Sequence, residues 1–243
     1  MLKVTTSWDD GDILDKRLSS LLEAYSIKGT FYISKNYRRE RLSEEGIRDV
    51  SKTHEIGAHT ITHPDLRKLT SYEQEIEVKE SKKWLEENLN TEVKMFCYPS
   101  GFYNTSAIEV VKKAGFLGAR TTDLGLVAPP YNPYLINTTI QVYPFPFRKI
   151  DSKKYYWGKL LQPYKQRAKD LRILGVPTAS MYSWLSVAKA TFDKALKNGE
   201  VFHLWGHSWE IEKYGMWDEL EKLLKYISNR KNSIYLTNSE LLK

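Results

Sequence analysis

Short apolar runs alternate along the chain with longer stretches in which apolar residues recur at helical spacing. The runs are rich in β-branched and aromatic residues and end at polar or glycine-containing turns, as buried strands do. The predicted strands are 2–7, 29–33, 55–58, 95–98, 116–121, 138–142, 200–205 and 233–236. Because strands that alternate with helices form parallel sheets, the expected fold is α/β, a distorted (β/α) barrel of about seven parallel strands.

Helical spacing predicts a helix after most of these strands. Asp12 should cap the first helix, and the capping box that begins at Thr70 predicts a charged helix to about Leu89. The residues of that helix that should face inward are Ile76, Trp84 and Leu85. The other helices are expected from residue 43 and at 104–114, 178–197 and 216–228.

The length of 243 residues, 41% of them hydrophobic, suits one core, so we expect a single domain over 1–243. The periodic pattern fails where prolines and aromatic residues crowd together, which predicts an irregular aromatic and basic insertion at about 128–172. Between Arg148 and Arg172 there are nine basic and two acidic residues, and this segment therefore carries the whole net charge of +7.

No run approaches the roughly 18–20 apolar residues that a membrane span needs. The first residues are too few and too polar for a secretory signal, and a cytoplasmic location is therefore expected. Cys97 is the only cysteine, which excludes an intramolecular disulfide. A buried apolar role is favoured for it over that of a nucleophile.

The five histidines fall in two short segments, 54–63 and 203–207. His59 and His63 can offer two imidazoles to one metal ion, and Asp10, after the first strand, can supply a carboxylate. Three ligands with positions left open are typical of a catalytic zinc site, and Asp9 would then be free to act as a general base. Alternatively, the histidine pair is structural or exposed, and the two aspartates cap the first helix.

Two further groups suit hydrolysis of an acyl compound. The backbone N–H of Ser100, in the turn after the strand 95–98, is a candidate donor to a developing oxyanion, and His207 is a candidate acid for the leaving group. His203 lies inside an apolar run, which favours a satisfied interior histidine over a ligand. All these groups follow strands, and the carboxyl ends of barrel strands carry the active site.

In order and spacing, the combined pattern resembles the polysaccharide deacetylase family, also called the NodB-homology domain or carbohydrate esterase family four. Its Asp-Asp-Gly motif is matched within 7–11, and its His-(Ser/Thr)-x-x-His motif within 59–63. The resemblance covers residue 2 to about residue 210. It implies a NodB-type barrel in which Asp9 is the base and Asp10, His59 and His63 bind one divalent metal ion. We expect zinc, with cobalt, nickel and manganese as alternatives.

The third family motif, Arg-x-Pro-Tyr-Gly, here reads Cys-Tyr-Pro-Ser-Gly at 97–101, so the arginine that orients the base is missing. We expect Arg120, at the end of the next strand, to pair with Asp9 instead. The segment 207–211 looks like a His-Pro-Trp-Glu form of the last motif, which favours His207 over His203 as the acid.

The resemblance implies a hydrolase that removes an acetyl group from an acetylated sugar and releases acetate. We expect an N-acetylhexosamine unit of a cell-surface glycan or its precursor. The alternatives are a metal-dependent amidohydrolase acting on a non-sugar amide or ureide, and a glycan-binding module without catalysis. The residues expected to contact substrate are Tyr98, Trp157, Trp205 and Trp209.

Within the basic segment, residues 153–157 combine two lysines with three aromatic residues. This suits a negatively charged acceptor, such as a sugar linked to a nucleotide or to a lipid phosphate. A solvated face and attraction to an anionic membrane surface are the alternatives. Nucleic acid is not expected, because no binding motif accompanies the charge. The sequence predicts no particular oligomeric state.

Overall fold

The computed structural model describes residues 1–124, 132–148 and 156–243. Within these ranges the strands form one sheet in which every neighbouring pair is parallel. The strands are β1 (Leu2–Asp10), β2 (Thr30–Ile33), β3 (Glu55–Ala58), β4 (Met95–Cys97), β5 (Gly118–Leu124), β6 (Ile136–Thr138), β7 (Ile140–Gln141), β8 (Val201–Gly206) and β9 (Ser233–Leu236).

Helices follow most strands and cover the outside of the sheet. They are α1 (Asp15–Ala24), α2 (Glu44–Ser51), α3 (Ser71–Leu89), α4 (Thr105–Lys113), α5 (Tyr156–Leu160), α6 (Gln162–Ile173), α7 (Trp184–Asn198), α8 (Ser208–Tyr214), α9 (Trp217–Ile227) and α10 (Asn238–Leu241). Short 3₁₀ turns lie at Leu66–Lys68, Pro99–Gly101 and Thr178–Ser180. No helix in the described ranges is long and apolar enough to cross a membrane.

The sheet curls into a barrel around β1. One edge of β1 pairs with β8, while the other edge pairs with β9 at residues 2–5 and with β2 at residues 7–10. The order continues from β2 to β6 on one side and from β8 to β7 on the other. Thr139 links β6 to β7, and its backbone N–H donates to the carbonyl of His203 in β8 at 2.9 Å, which closes the barrel.

The predicted distorted (β/α) barrel is confirmed, with nine strands in the described ranges instead of about seven. One cause of the difference is that the predicted strand at 138–142 consists of two short strands, β6 and β7. The predicted irregular insertion is wrong for its described C-terminal part, which contains α5 and α6. Pro163 does not interrupt α6, because it stands in the first turn, where a proline is tolerated.

The interior of the barrel is polar, and its polar groups bind one another. Thr5 of β1 donates its hydroxyl hydrogen to Asn238 Oδ1 at 2.7 Å, and the Ser7 hydroxyl lies 2.8 Å from His203 Nε2. Because alternate residues of a strand share a face, Asp9 follows Thr5 and Ser7 on the inner face. Asp10, at the end of β1, has a φ of +85° and directs its carboxylate elsewhere.

Two details of the predicted helices are wrong. Asp12 does not cap α1, which begins at Asp15; its carboxylate accepts the Leu14 N–H at 3.1 Å and pairs with Arg38 at 3.0 Å. Ile76 of α3 is 44% exposed. The buried stripe of α3 is formed by Gln74, Val78, Ser81 and Leu85. Position 76 lies about 200° around the helix from position 74 and so faces solvent.

Asp15, at the start of α1, is buried, and only one of its carboxylate oxygens has a partner among the described residues, the Ser208 hydroxyl at 2.6 Å. Burial raises the pKa of Asp15 well above its ordinary value, and the nearby carboxylates of Asp12, Asp10 and Asp9 add to this. The folded protein therefore holds this proton at pH values where the unfolded chain has released it. The contribution of Asp15 to the free energy of unfolding therefore falls as the pH rises above about 4.

The Asp15→Asn variant should be more stable than the wild type at neutral pH, by about 1–3 kcal/mol, because no charge has to be buried. The gain should be absent near pH 3 and grow as the pH rises from about 4. Urea unfolding of the chelator-treated protein from pH 3 to pH 8 measures it. A stability difference that is constant across this range would show that Asp15 does not take up a proton on folding.

Candidate active site

The carboxyl ends of the strands surround an open cavity of about 630 Å³. Most of the residues singled out in the sequence line it. These are Asp9, Asp10, His59, His63, Ser100, Trp205, His207 and Trp209. They come from four different strand ends, which the parallel order of the sheet brings to one end of the barrel.

Asp10 faces both histidines of the second motif. Its Oδ1 atom is buried and has no hydrogen-bond partner among the described residues. It lies 3.7 Å from His59 Nε2 and 3.6 Å from His63 Nε2. These distances are too long for hydrogen bonds, but two atoms that bind one tetrahedral zinc ion at about 2.1 Å lie about 3.4 Å apart. The orphaned oxygen and the two imidazoles therefore fit one divalent ion.

Neighbouring groups fix the direction of each of these side chains. His59 Nδ1 lies 2.8 Å from the carbonyl oxygen of Cys97; a carbonyl can only accept, so the proton is on Nδ1 and the Nε2 lone pair faces Asp10. The indole N–H of Trp209 donates to Asp10 Oδ2 at 2.8 Å, which leaves Oδ1 for a metal. Tyr37 stacks on His63 with ring centres 4.0 Å apart. Such outer contacts are typical of metal sites.

The protonation states also suit metal binding. Burial lowers the pKa of His59 to about 4, and burial likewise lowers the pKa of His63. Both imidazoles are therefore neutral at neutral pH, which is the form that binds a metal. A second cluster, Asp9 with His59 and Cys97, is close enough to hold an ion. It is the poorer set, because burial raises the pKa of Cys97 well above its ordinary value and the thiol keeps its proton.

The loop that carries the two histidines is held by Glu77 of α3. Its carboxylate accepts the backbone N–H groups of Ile61 and Thr62 at 2.8 and 3.0 Å, and the Thr62 hydroxyl at 2.6 Å. The loop needs this support because Thr60 and His63 have φ values of +65° and +59°, which are unfavourable for residues other than glycine. Sequence reasoning missed Glu77, which looks like one more solvated charge on an acidic and basic helix.

Replacing Glu77 by Ala should weaken zinc binding by about tenfold or more, because the loop can then leave the conformation that directs His63 toward Asp10. Competition with a chromophoric chelator measures the affinity. Glu80→Ala is the matched control, since Glu80 is exposed on the same helix. Equal zinc affinity in the two variants would mean that Glu77 does not support the site.

Arg120 of β5 pairs with Asp9 inside the barrel. Its guanidinium donates a hydrogen bond to Asp9 Oδ1, and its centre lies 5.2 Å from the Tyr32 ring and 5.0 Å from the Trp205 ring. Burial is the largest single effect and raises the pKa of Asp9, but the charges of Arg120, His59 and His207 and the hydrogen bond from Arg120 together outweigh it, and the pKa of Asp9 is lowered. Asp9 is therefore an ionised carboxylate held at one oxygen by a fixed cation. The structure thus brings together the pair expected from the missing arginine of the third motif.

His207 stands at the start of α8 with Glu210 as its partner. Its Nδ1 lies 2.6 Å from Glu210 Oε2, and its Nε2 lies 3.9 Å from Asp10 Oδ2. Burial alone lowers the pKa of His207, but the hydrogen bond to Glu210 and the charges of Asp10, Glu210 and Asp9 together outweigh burial and raise it to about 9. His207 therefore carries a proton near the cavity. The sequence showed Glu210 in the last motif but not its role as the partner of His207.

His203 is the satisfied interior histidine expected from its apolar surroundings. It is buried, Nε2 lies 2.8 Å from the Ser7 hydroxyl, and Nδ1 lies 3.0 Å from the carbonyl of Asn137. Burial lowers the pKa of His203 to about 3, so the ring is neutral. With both nitrogens engaged, it has no lone pair to offer the cavity.

The remaining predicted residues differ in where they lie. Ser100 lines the cavity in a left-handed conformation, with a φ of +53°. Trp205 and Trp209 also line it. Tyr98 is not brought to the cavity: its side chain is buried, and its hydroxyl donates to the Tyr134 carbonyl at 3.2 Å. Trp157 belongs to α5, but its side chain lies outside the described part of the structure.

Known proteins resemble this chain in sequence and in fold. The model of the polysaccharide deacetylase family matches residues 3–119. The resemblance to polysaccharide deacetylases is confirmed. The matched region contains Asp9, Asp10, His59 and His63, whereas Arg120 and His207 follow it.

Two curated proteins of Bacillus subtilis (strain 168) resemble the chain in sequence over part of its length. A Bacillus subtilis (strain 168) protein whose name describes it as a polysaccharide deacetylase, YxkH, is 28% identical over 120 residues, which are 48% of this chain and 43% of that protein. YlxY of the same organism is 27% identical over 108 residues, 44% of this chain and 33% of that protein. The chain thus spans less than half the length of the curated relatives that it matches.

Several solved structures resemble the chain over nearly its whole length. One described as a polysaccharide deacetylase, from Mycobacterium smegmatis, has a TM-score of 0.70 with 15% identity and covers 99% of this chain and 88% of its own. The chitin deacetylase of the fungal pathogen Colletotrichum lindemuthianum has a TM-score of 0.60 with 16% identity, over 99% of this chain and 87% of its own. At such identities the likeness shows the fold alone, a distorted barrel.

Proposed function

We propose that the chain is a metal-dependent hydrolase that removes an acetyl group from an acetylated sugar and releases acetate, with residues 1–243 acting as one catalytic domain. The observation that carries the proposal is Asp10 Oδ1, a buried carboxylate oxygen without a hydrogen-bond partner among the described residues, which faces two neutral imidazoles at 3.6–3.7 Å. A buried polar atom without a partner is costly unless a ligand such as a cation binds it. A glycan-binding module would not need it.

Asp10, His59 and His63 would hold the ion, which we propose to be zinc, with cobalt, nickel and manganese as alternatives. When bound, such an ion polarises an acyl carbonyl group and lowers the pKa of water. The protein side chains around it are already in the protonation states that hydrolysis of an amide requires: Asp9 without its proton and His207 with one.

In the proposed reaction, Asp9 takes a proton from the attacking water while the water oxygen bonds to the acetyl carbon. Arg120 holds one carboxylate oxygen of Asp9, so the carboxylate cannot turn away from the water. His207 gives its Nε2 proton to the leaving nitrogen as the carbon–nitrogen bond breaks, and Glu210 holds the opposite nitrogen of the ring. The Ser100 backbone N–H would donate to the developing oxyanion. The products are acetate and a free amine.

For the acceptor we propose an N-acetylhexosamine unit in a glycan. Trp205, Trp209 and Tyr37 give the cavity the aromatic surfaces on which sugar rings pack. The prediction of an anionic acceptor rests on residues 153–157, whose side chains lie outside the described residues. In the described cavity wall, Arg167 is accompanied by Asp123 and Asp170, so this wall carries no excess of positive charge. The described wall therefore favours a neutral sugar.

Acetate release tests the proposal. We expect the zinc-loaded protein to release acetate from N-acetylglucosamine oligomers. Acetate release should stop after chelation of the metal and recover when zinc, cobalt, nickel or manganese is added back. Acetylated nucleotide sugars and simple acetamides are the comparison substrates. Hydrolysis of the acetamides alone would favour the amidohydrolase alternative. No acetate from any substrate with a fully loaded protein would contradict the proposal.

A further inference from the structure

The hydrogen bonds around His207 do not end at Glu210. The same oxygen, Glu210 Oε2, that lies 2.6 Å from His207 Nδ1 also accepts from Gln141 Nε2 at 3.2 Å. The other end of this amide, Gln141 Oε1, accepts a hydrogen bond from the guanidinium of Arg167. Three bonds thus connect α6, in the basic segment, with the histidine that faces the reaction centre.

Gln141 is rigidly placed for this role. It belongs to β7, is 7% exposed and pairs with Trp205 of β8. The Trp184 indole N–H donates to its backbone carbonyl at 2.7 Å. With its backbone held on both sides, only the orientation of its side-chain amide remains to be decided.

Arg167 decides that orientation. A guanidinium has five N–H donors and no acceptor, so it can bind only the oxygen end of the amide. With Oε1 at Arg167, the NH₂ group must face Glu210, where it donates to the carboxylate. The reversed amide would direct its oxygen at Glu210 and its hydrogens at Arg167, two repulsive contacts in place of two attractive ones. Burial lowers the pKa of Arg167, and the charge of Glu210 is the largest effect that opposes this, so the two groups also interact through charge.

We infer that Arg167 and Gln141 are positioning residues for His207: they hold Glu210 against Nδ1 so that Nε2 keeps facing the cavity. The inference rests on the proposed function, because it assumes that His207 acts on a substrate. It assigns the basic segment a role in building the site, in addition to any contact with an acceptor. The competing role, direct binding of substrate by Arg167, predicts different kinetics.

The Arg167→Gln variant tests the inference. Loss of positioning should lower kcat by roughly tenfold and leave KM within about twofold, because small displacements of a catalytic group affect the transition state. Arg148→Gln is the matched control: it removes the same charge from the same segment, and Arg148 donates to the Tyr143 hydroxyl at 2.7 Å rather than to Gln141. It should leave kcat unchanged. Arg167→Lys keeps a donor for Gln141 Oε1 and should recover part of kcat.

The path through Glu210 gives a second kinetic test. In a Glu210→Gln background, Arg167→Gln should have little further effect on kcat, because both changes break the same chain of bonds. Full additivity would overturn the inference. So would an increase of KM with kcat unchanged, which indicates substrate binding, or equal kinetics in the Arg167→Gln and Arg148→Gln variants. Should Arg167→Gln fail to fold, Arg167→Lys and Gln141→Leu carry the same comparison.

A readout that does not depend on activity separates this inference from the proposed function. In zinc-loaded protein labelled with ¹⁵N-histidine, the Nδ1 proton of His207, assigned by its loss in His207→Gln, should be visible and shifted downfield by the bond to Glu210. It should move or broaden in Arg167→Gln and stay in place in Arg148→Gln. An unchanged signal in Arg167→Gln overturns the inference even in an active enzyme. A wild type without acetate release would overturn the proposed function and leave this test intact.

Discussion

Arg120→Met should destabilise the protein by about 3–5 kcal/mol, the largest effect on stability that we expect from one substitution in the site. Arg120 is fully buried, and its guanidinium is bound to Asp9, which is 2% exposed. Methionine fills much of the space of the arginine chain but leaves the Asp9 carboxylate buried without its cation. Urea unfolding of the metal-free protein measures the loss.

Two controls show whether the loss comes from the buried charge. The double variant Arg120→Met with Asp9→Asn removes both charges and should regain much of the stability, because breaking a buried pair is worse than replacing it. Arg17 and Glu212 form an ion pair on the surface, and both side chains are more than half exposed. Arg17→Met breaks this pair and should cost less than about 1 kcal/mol. If Arg120→Met lowered the free energy of unfolding as little as Arg17→Met does, the buried Asp9 carboxylate would not need the cation of Arg120.

The centre of the site could be predicted because its residues are local to strand ends. A strand that ends in two carboxylates directs them to different sides, and the order of a parallel sheet brings such ends together. This was sufficient to expect Asp10 beside His59 and His63. The arginine missing from the third family motif led us to expect another cation near the end of the predicted strand 116–121, and Arg120 provides it from within β5.

The supporting groups could not be predicted in this way. Glu77 and Arg167 stand on helices among many charged residues, and only the packing of those helices decides which charge meets the site. Gln141 lies within the predicted strand 138–142, but the observed strand has two residues, too few to show from the sequence which side chain faces the site. Tyr98 was predicted to contact substrate, whereas packing against Phe96 and Tyr103 buries its ring.

Asp9→Asn should lower kcat by about a thousandfold, within the range of about 10²–10⁴ expected for a general base, and leave zinc affinity within a few-fold of wild type. The amide has nearly the shape of the carboxylate, and its oxygen can still accept from Arg120, but it cannot take a proton from water. Asp10, His59 and His63, which we propose as the ligands, are untouched. Acetate release and zinc titration of the same sample give both numbers.

Asp12→Asn is the matched control, since Asp12 is a buried acid of the same segment that pairs with Arg38 instead of lining the cavity; it should keep its turnover. The two readouts of Asp9→Asn decide between the two clusters that can hold an ion. If zinc affinity falls together with turnover, Asp9 is a ligand, as the cluster with His59 and Cys97 requires. If zinc stays and more than a tenth of the turnover remains, another group is the base. Only the combination of retained zinc and lost turnover supports separate roles for the two neighbouring aspartates at the end of β1, Asp9 as the base and Asp10 as a metal ligand.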